Sequence, residues 1–240
     1  MTGSSRGCFI TIEGGEGVGK SQLIRSLADF LQKAAPDSII TREPGGTPLA
    51  DEIRAIFAHP PQGENLNRLT ELLLMSAARS HHVEKLILPA LLAGRSVLSD
   101  RFADSSRVYQ GSLGALDSEF VENLIAKSTF GLEPDLTLLL DCDVKEAQKR
   151  ISSRIAVLEK VQGSVENKKT SDLMPRFDQQ DSDFHEKIRQ AFLQLANTYN
   201  NRILVLDASL KIEDVAQKAQ EAILIKLAQP RRSATQLRLF

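Results

Sequence analysis

The residues best suited to chemistry lie near the amino terminus. Gly14, Gly15, Glu16, Gly17, Val18, Gly19, Lys20 and Ser21 follow an apolar run and precede a helical pattern. Gly14, Gly19, Lys20 and Ser21 fill the fixed positions of the G-x-x-x-x-G-K-[ST] phosphate loop. Glycines there allow backbone angles that a Cβ forbids and bring amide groups close to phosphate oxygens. The helix that follows offers its N-terminus to the same anion. Lys20 is placed to reach β- and γ-phosphates, and the Ser21 hydroxyl to ligate Mg²⁺. Asp100, closing the apolar run that begins at Ser96, is the matching carboxylate for Mg²⁺ or its water.

Arginines form the second chemical signal. Arg42, Arg101, Arg150, Arg154 and Arg176 fall at expected strand ends or beside a polar stretch. Transfer between two phosphates crowds negative charge, so positioned cations are the main catalytic resource. A kinase of a monophosphate needs two anion sites and a movable cover that excludes water. Arg79 lies among Met75, Ala77 and Ala78, where a guanidinium needs a partner. Asp100 and Arg101 are adjacent and could pair locally instead. His81 and His82 are also adjacent, so they point about 100° apart on a helix and make a poor metal pair.

These residues need a scaffold, and the pattern supplies one. Apolar strands are expected at about residues 8–13, 38–41, 96–100, 136–140 and 203–206. Helical spacing appears after the phosphate loop up to Ala35, and again over 49–57, 65–92 (with Pro89 bending or interrupting it), 120–129, beyond Asp143, 184–195 and 212–227. Asp143 is a candidate N-cap. Strand followed by helix, repeated, predicts a parallel sheet covered on both sides. Residues 162–172 are polar without apolar period and read as a loop or lid.

The whole chain narrows the options. Its 240 residues suit a single α/β domain spanning 1–240, with a lid at about 155–176 and a basic tail at about 229–240. A net charge of −1 calls for neither nucleic acid nor a membrane surface. Cys8 and Cys142 build no disulfide framework, residues 1–7 hold no apolar signal core, and no run matches a membrane span. A cytoplasmic protein is expected. The Asn-Lys-x-Asp base-recognition tetrad of GTPases is absent.

The segments ITIEGGEGVGKS, TREPGGT, LLLMSAARSHHVEKLILPAL, LSDRF, SSRVYQG and RFDQQDSDFHEKIRQAF together resemble bacterial-type thymidylate kinases, over about residues 8–228. That resemblance implies the three-layer α/β/α P-loop NTPase fold with a five-stranded parallel sheet. It also implies phosphorylation of dTMP by ATP with Mg²⁺, usually in a homodimer. Lys20, Ser21 and the loop amides would hold ATP. Glu16 would face the acceptor deoxyribose, and Arg42 and Arg101 would hold the dTMP phosphate. Arg79, with Ser105 and Ser106, would bond the thymine, and Tyr109 would crowd the 2′ position. The phosphate loop has no arginine, as in members whose catalytic arginine comes from the lid; Arg154, then Arg150 and Arg176, are the candidates. The sequence departs from the family where Met75 replaces an aromatic residue that stacks on thymine, and where Pro175 replaces an aspartate before Arg176. A kinase of another nucleoside monophosphate, or a nucleotide-gated binding module, would share the phosphate loop.

Overall fold

The computed structural model describes residues 6–61, 64–114, 116–162 and 180–229. Five strands form one parallel sheet: β1 (Phe9–Glu13), β2 (Ile39–Arg42), β3 (Val97–Asp100), β4 (Leu136–Asp141) and β5 (Ile203–Asp207), in the order β2-β3-β1-β4-β5. The chain leaves β1 for one edge, returns beside it and then crosses to the other side. This reversal opens a crevice at the carboxyl ends of the strands, where ligands bind in such sheets. Register levels those ends: Arg42 and Ile12 both stand opposite Asp100.

Side chains alternate across the strands, so each face has its own core. On one face Ile10, Ile12, Leu98, Leu138 and Leu140 pack against α1 (Lys20–Ala34) and α9 (Ile212–Ala228). On the other, Phe9 and Val97 meet α3 (Arg68–His82), α4 (Leu88–Leu92) and α6 (Ser118–Ser128). There too Leu139 and Ile203 meet α8 (Ser182–Thr198). The sandwich of helices around a parallel sheet is the three-layer arrangement expected.

Local chemistry sets the element ends. Thr47 caps α2 (Pro48–Ala58) by accepting from the Ala50 amide at 3.3 Å, and Asn67 caps α3 through the Thr70 amide at 2.8 Å. The long pattern over 65–92 is not one helix. A π-helical turn, Val83–Ile87, separates α3 from α4 just before Pro89. The widened turn eases the clash of the proline ring with the carbonyl four residues earlier. A second π-helical turn, Arg107–Ser112, follows the short α5 (Ala103–Ser106). Asp143 does cap α7 (Val144–Gln162), accepting from the Lys145 amide at 2.8 Å. Residues 155–162, expected to open a lid, instead continue this helix. The rest of the expected lid, with Arg176, and the tail beyond residue 229 lie outside the described residues.

Candidate active site

The phosphate loop joins β1 to α1 in strand, turn, helix order. Gly14, Gly17 and Gly19 have φ of 135°, 75° and 99°, the left-handed side that glycine alone adopts cheaply. Two of them also need the missing side chain. A Cβ on Gly14 would stand 2.5 Å from the Leu140 carbonyl oxygen, and one on Gly17 2.4 Å from that of Ala147. The loop is thus threaded between β4 and α7. Lys20 Nζ donates to the Gly14 carbonyl at 2.9 Å and to that of Gly15. Burial, with Arg101 nearby, lowers its ammonium to about 8. Ser21 follows at the mouth of the cleft.

A cleft of about 470 Å³ opens in front of this loop. Among the described residues its walls carry Lys20, Arg25, Arg54, Arg79, Arg101, Arg150 and Arg154, against Glu16 and Glu43 of opposite sign. Such an excess of cation in a concave site focuses field on anionic ligands.

Arg101 follows β3 with φ 68°, a left-handed angle costly for a residue with a Cβ. The turn swings its guanidinium away from its neighbour Asp100, so the local pair allowed by sequence is not the one formed. It donates to Glu16 at 2.9 Å and to Ser105 Oγ at 3.0 Å. Tyr109 Oη donates to both Glu16 oxygens, at 2.7 and 2.9 Å. Burial works against charge on Glu16, but Arg101, Lys20 and the Tyr109 hydroxyl outweigh it and hold the carboxyl below its usual range. Glu13, at the end of β1, accepts from the Phe102 amide at 2.8 Å and from Ser105 Oγ at 2.7 Å. Burial, helped by Asp104, raises its carboxyl to about 7.

Deeper in the cleft stands Arg79, on α3 and 2% exposed. Its Nε donates to Glu43 at 2.9 Å and its Nη2 to Ser106 Oγ at 2.8 Å. Its Nη1 is buried with no hydrogen-bond partner among the described residues. Met75, one helical turn earlier, lines the same pocket. Arg150 and Arg154, four residues apart on α7, both reach the cleft; Arg150 is held by Glu146 at 3.1 Å.

Of the residues singled out by sequence, Glu16, Gly17, Gly19, Lys20, Ser21, Met75, Arg79, Arg101, Ser105, Ser106, Tyr109, Arg150 and Arg154 line one cleft. Gly14, Gly15 and Val18 sit just behind it. Arg42 does not line it: its guanidinium is more than half exposed and pairs with Asp51 at 3.2 Å. Arg54 lines the wall there, donating to the Pro44 carbonyl at 2.9 Å. Sequence reasoning missed Arg54. The signal was its place three residues before Phe57 on a helix that starts directly after the TREPGG turn. The pairing of Glu43 with Arg79 and the burial of His82 carry no local sequence signal, since both depend on how α3 packs beside the end of β2. Among the described residues no three metal-ligating side chains cluster. Asp100 nevertheless keeps a buried Oδ1 without a hydrogen-bond partner there, which suits a cation or its water.

Comparison with known proteins agrees with this geometry. The family model described as thymidylate kinase matches residues 12–219. A thymidylate kinase of Desulfovibrio desulfuricans is 41% identical over 90% of this chain and 94% of its own length. One of Geotalea uraniireducens is 39% identical over 93% and 99%. A crystal structure of thymidylate kinase from Ehrlichia chaffeensis superposes with a TM-score of 0.67 at 26% identity, covering 91% of this chain and 99% of that one. A phosphate loop, a cation-lined cleft and matches spanning nearly the whole length point one way: the chain belongs to the thymidylate kinase family.

Proposed function

We propose that the cleft transfers the γ-phosphate of ATP to dTMP, giving dTDP and ADP for dTTP synthesis. One observation carries the reading. Lys20 with the loop glycines, and Arg101 with Arg54, line a single cleft, which supports a donor site and an acceptor site within reach of each other. Glu16 is salt-bridged to Arg101, its carboxylate fixed between the two by Tyr109.

The phosphate loop holds the donor, with Lys20 leaving the loop carbonyls to meet the β- and γ-phosphates. Ser21 and Asp100 would hold Mg²⁺, which supplies charge neutralisation and phosphate geometry when bound. Arg101 receives the acceptor phosphate, and Glu16 faces its sugar. Arg42 joins that site only by leaving Asp51. The buried Nη1 of Arg79 meets a carbonyl of the base, with Ser105 and Ser106 alongside, while Met75 covers the ring face. Tyr109, pinned to Glu16, leaves no room for a 2′ hydroxyl. Arg154 supplies charge to the transferring phosphoryl group, with Arg150 beside it; Arg176 is the further candidate.

A coupled assay of ADP release over dTMP, dUMP, CMP, UMP and AMP tests the reading. Preference for any acceptor other than dTMP overturns it. A nucleotide-gated binding module is the alternative of a different class, and dTMP-dependent turnover excludes it as the main role.

The assembly we propose is a homodimer, and the surface supports it. Leu49 and Ile56 of α2 and Leu69 and Leu73 of α3 are all more than two-fifths exposed on two packed helices. Sedimentation of Leu73→Glu against the parent protein checks it; an unchanged monomer–dimer balance argues for another surface. Cys8 and Cys142 are buried and not joined in a disulfide, which fits a reducing cytoplasm, and among the described residues no helix is long and apolar enough to cross a membrane.

A further inference from the structure

We infer that Thr41, His82 and Glu43 form a positioning chain that aims the Arg79 guanidinium at the base of the acceptor. The inference rests on the acceptor site proposed above and adds residues that site does not itself use.

The chain starts at the carboxyl end of β2. Thr41 Oγ1 lies 2.8 Å from His82 Nε2, and His82 Nδ1 lies 3.4 Å from Glu43 Oε1. The other Glu43 oxygen, Oε2, accepts from Arg79 Nε at 2.9 Å. A carboxylate only accepts, so Nδ1 carries the proton toward Glu43, and Nε2 is left to take the threonine proton. The imidazole thereby fixes which way the carboxylate faces. The carboxylate fixes Nε, and Ser106 fixes Nη2. A planar guanidinium held at two corners has no rotational freedom left. Its remaining corner, Nη1, is the buried atom with no hydrogen-bond partner among the described residues.

Burial makes the arrangement consequential. His82 is 0% exposed and Glu43 5%. Water does not compete for these bonds, and a misdirected group there would lose its partners outright. The backbone is shaped around the chain as well. A Cβ on Gly46 would stand 2.4 Å from both His82 Nε2 and Thr41 Oγ1. The second glycine of TREPGG therefore leaves room for the bond between them, beyond any role in the turn.

The test is steady-state kinetics with dTMP and ATP varied separately, for His82→Gln, Thr41→Val, Glu43→Gln, Arg79→Ala and the double variant His82→Gln with Arg79→Ala. We expect His82→Gln to raise KM for dTMP roughly tenfold, as losing one oriented charge-assisted hydrogen bond does, and to leave KM for ATP unchanged. Thr41→Val gives a smaller shift of the same kind. In the Arg79→Ala background the His82 effect disappears, because a positioning residue has nothing left to aim. If KM for dTMP stays put in His82→Gln, or its rise persists undiminished without Arg79, the inference fails. If Arg79→Ala alone leaves KM for dTMP unchanged, the base-site reading underneath fails instead. Glu43→Gln exposes a buried arginine to loss of its counter-charge and is read only if its melting curve stays cooperative; His82→Gln and Thr41→Val decide otherwise.

Discussion

The two walls of the cleft are built by different means. The proposed donor wall is backbone: consecutive amides, left-handed glycines and a helix end, all within residues 14–21. The proposed acceptor wall is side chain, gathered from β1, the turn after β2, α2, α3, the segment after β3 and the turn at Arg107–Ser112. Its parts are held by ion pairs and hydrogen bonds between residues as far apart as Glu16 and Tyr109. Phosphate looks the same in every nucleotide, so a fixed backbone cradle suffices for it. A particular base and sugar must be told from close analogues, which takes oriented side chains and the exclusion of wrong groups.

The comparison can be broken at several points. The largest expected effect is on the group acting between the walls. Arg154→Ala should lower kcat by about 10³-fold, within the range for arginines that stabilise phosphoryl transfer, with KM for dTMP little changed. A larger loss in Arg150→Ala than in Arg154→Ala, measured by single-turnover phosphoryl transfer, would exchange their roles. On the donor wall, Lys20→Ala should cost about 10²- to 10³-fold in turnover while the thermal unfolding curve stays in place. Near-normal turnover there would remove the phosphate loop from the mechanism.

Next comes selectivity, which belongs to the acceptor wall alone. Tyr109→Ala should relax the preference for dTMP over ribothymidine monophosphate by roughly 10- to 100-fold. An unchanged ratio in a competition assay would clear Tyr109 of that role. Acidity separates the walls more gently. The Lys20 ammonium is lowered to about 8, so in the free protein it is largely charged at pH 7 and largely neutral at pH 9. KM for ATP should accordingly rise, by up to about tenfold per pH unit, as pH increases through 8. A flat profile from pH 7 to 9 argues against phosphate contact by this amine.

The effect smallest in turnover is on stability, and it lies in the acceptor wall. Glu13 is raised from 4.5 to about 7, so between those values the folded protein holds a proton the unfolded chain has lost. Stability contributed by this group is present below pH 4.5 and is lost as pH rises toward 7. Glu13→Gln should flatten that part of a stability-against-pH curve obtained by urea unfolding.

How much of this was readable beforehand follows the same division. The phosphate loop, five strands and most helices could be placed from local pattern, because glycine spacing and hydrophobic period are local properties. The π-helical turns at Val83–Ile87 and Arg107–Ser112 could not, since one extra residue in a turn is decided by what the helix packs on. Arg42, Arg101 and Arg79 stood out by position, but their separate parts in binding an acceptor came only from likeness to a family. Arg42, expected at the acceptor phosphate, pairs with Asp51 instead of lining the cleft, and Arg54 lines its wall. A helix face determines which arginine enters a cleft, and that face is set once α2 docks on α3.

By itself the sequence determined the anion cradle, because φ angles and amide spacing are written in consecutive residues. It also determined the alternation of strand and helix. Only the tertiary structure decided which charges meet: that Arg101 turns from Asp100 to Glu16, and that His82 stands behind Glu43 and Arg79. Coulomb energy and hydrogen bonding depend on distance in space, and chain separation carries no record of it.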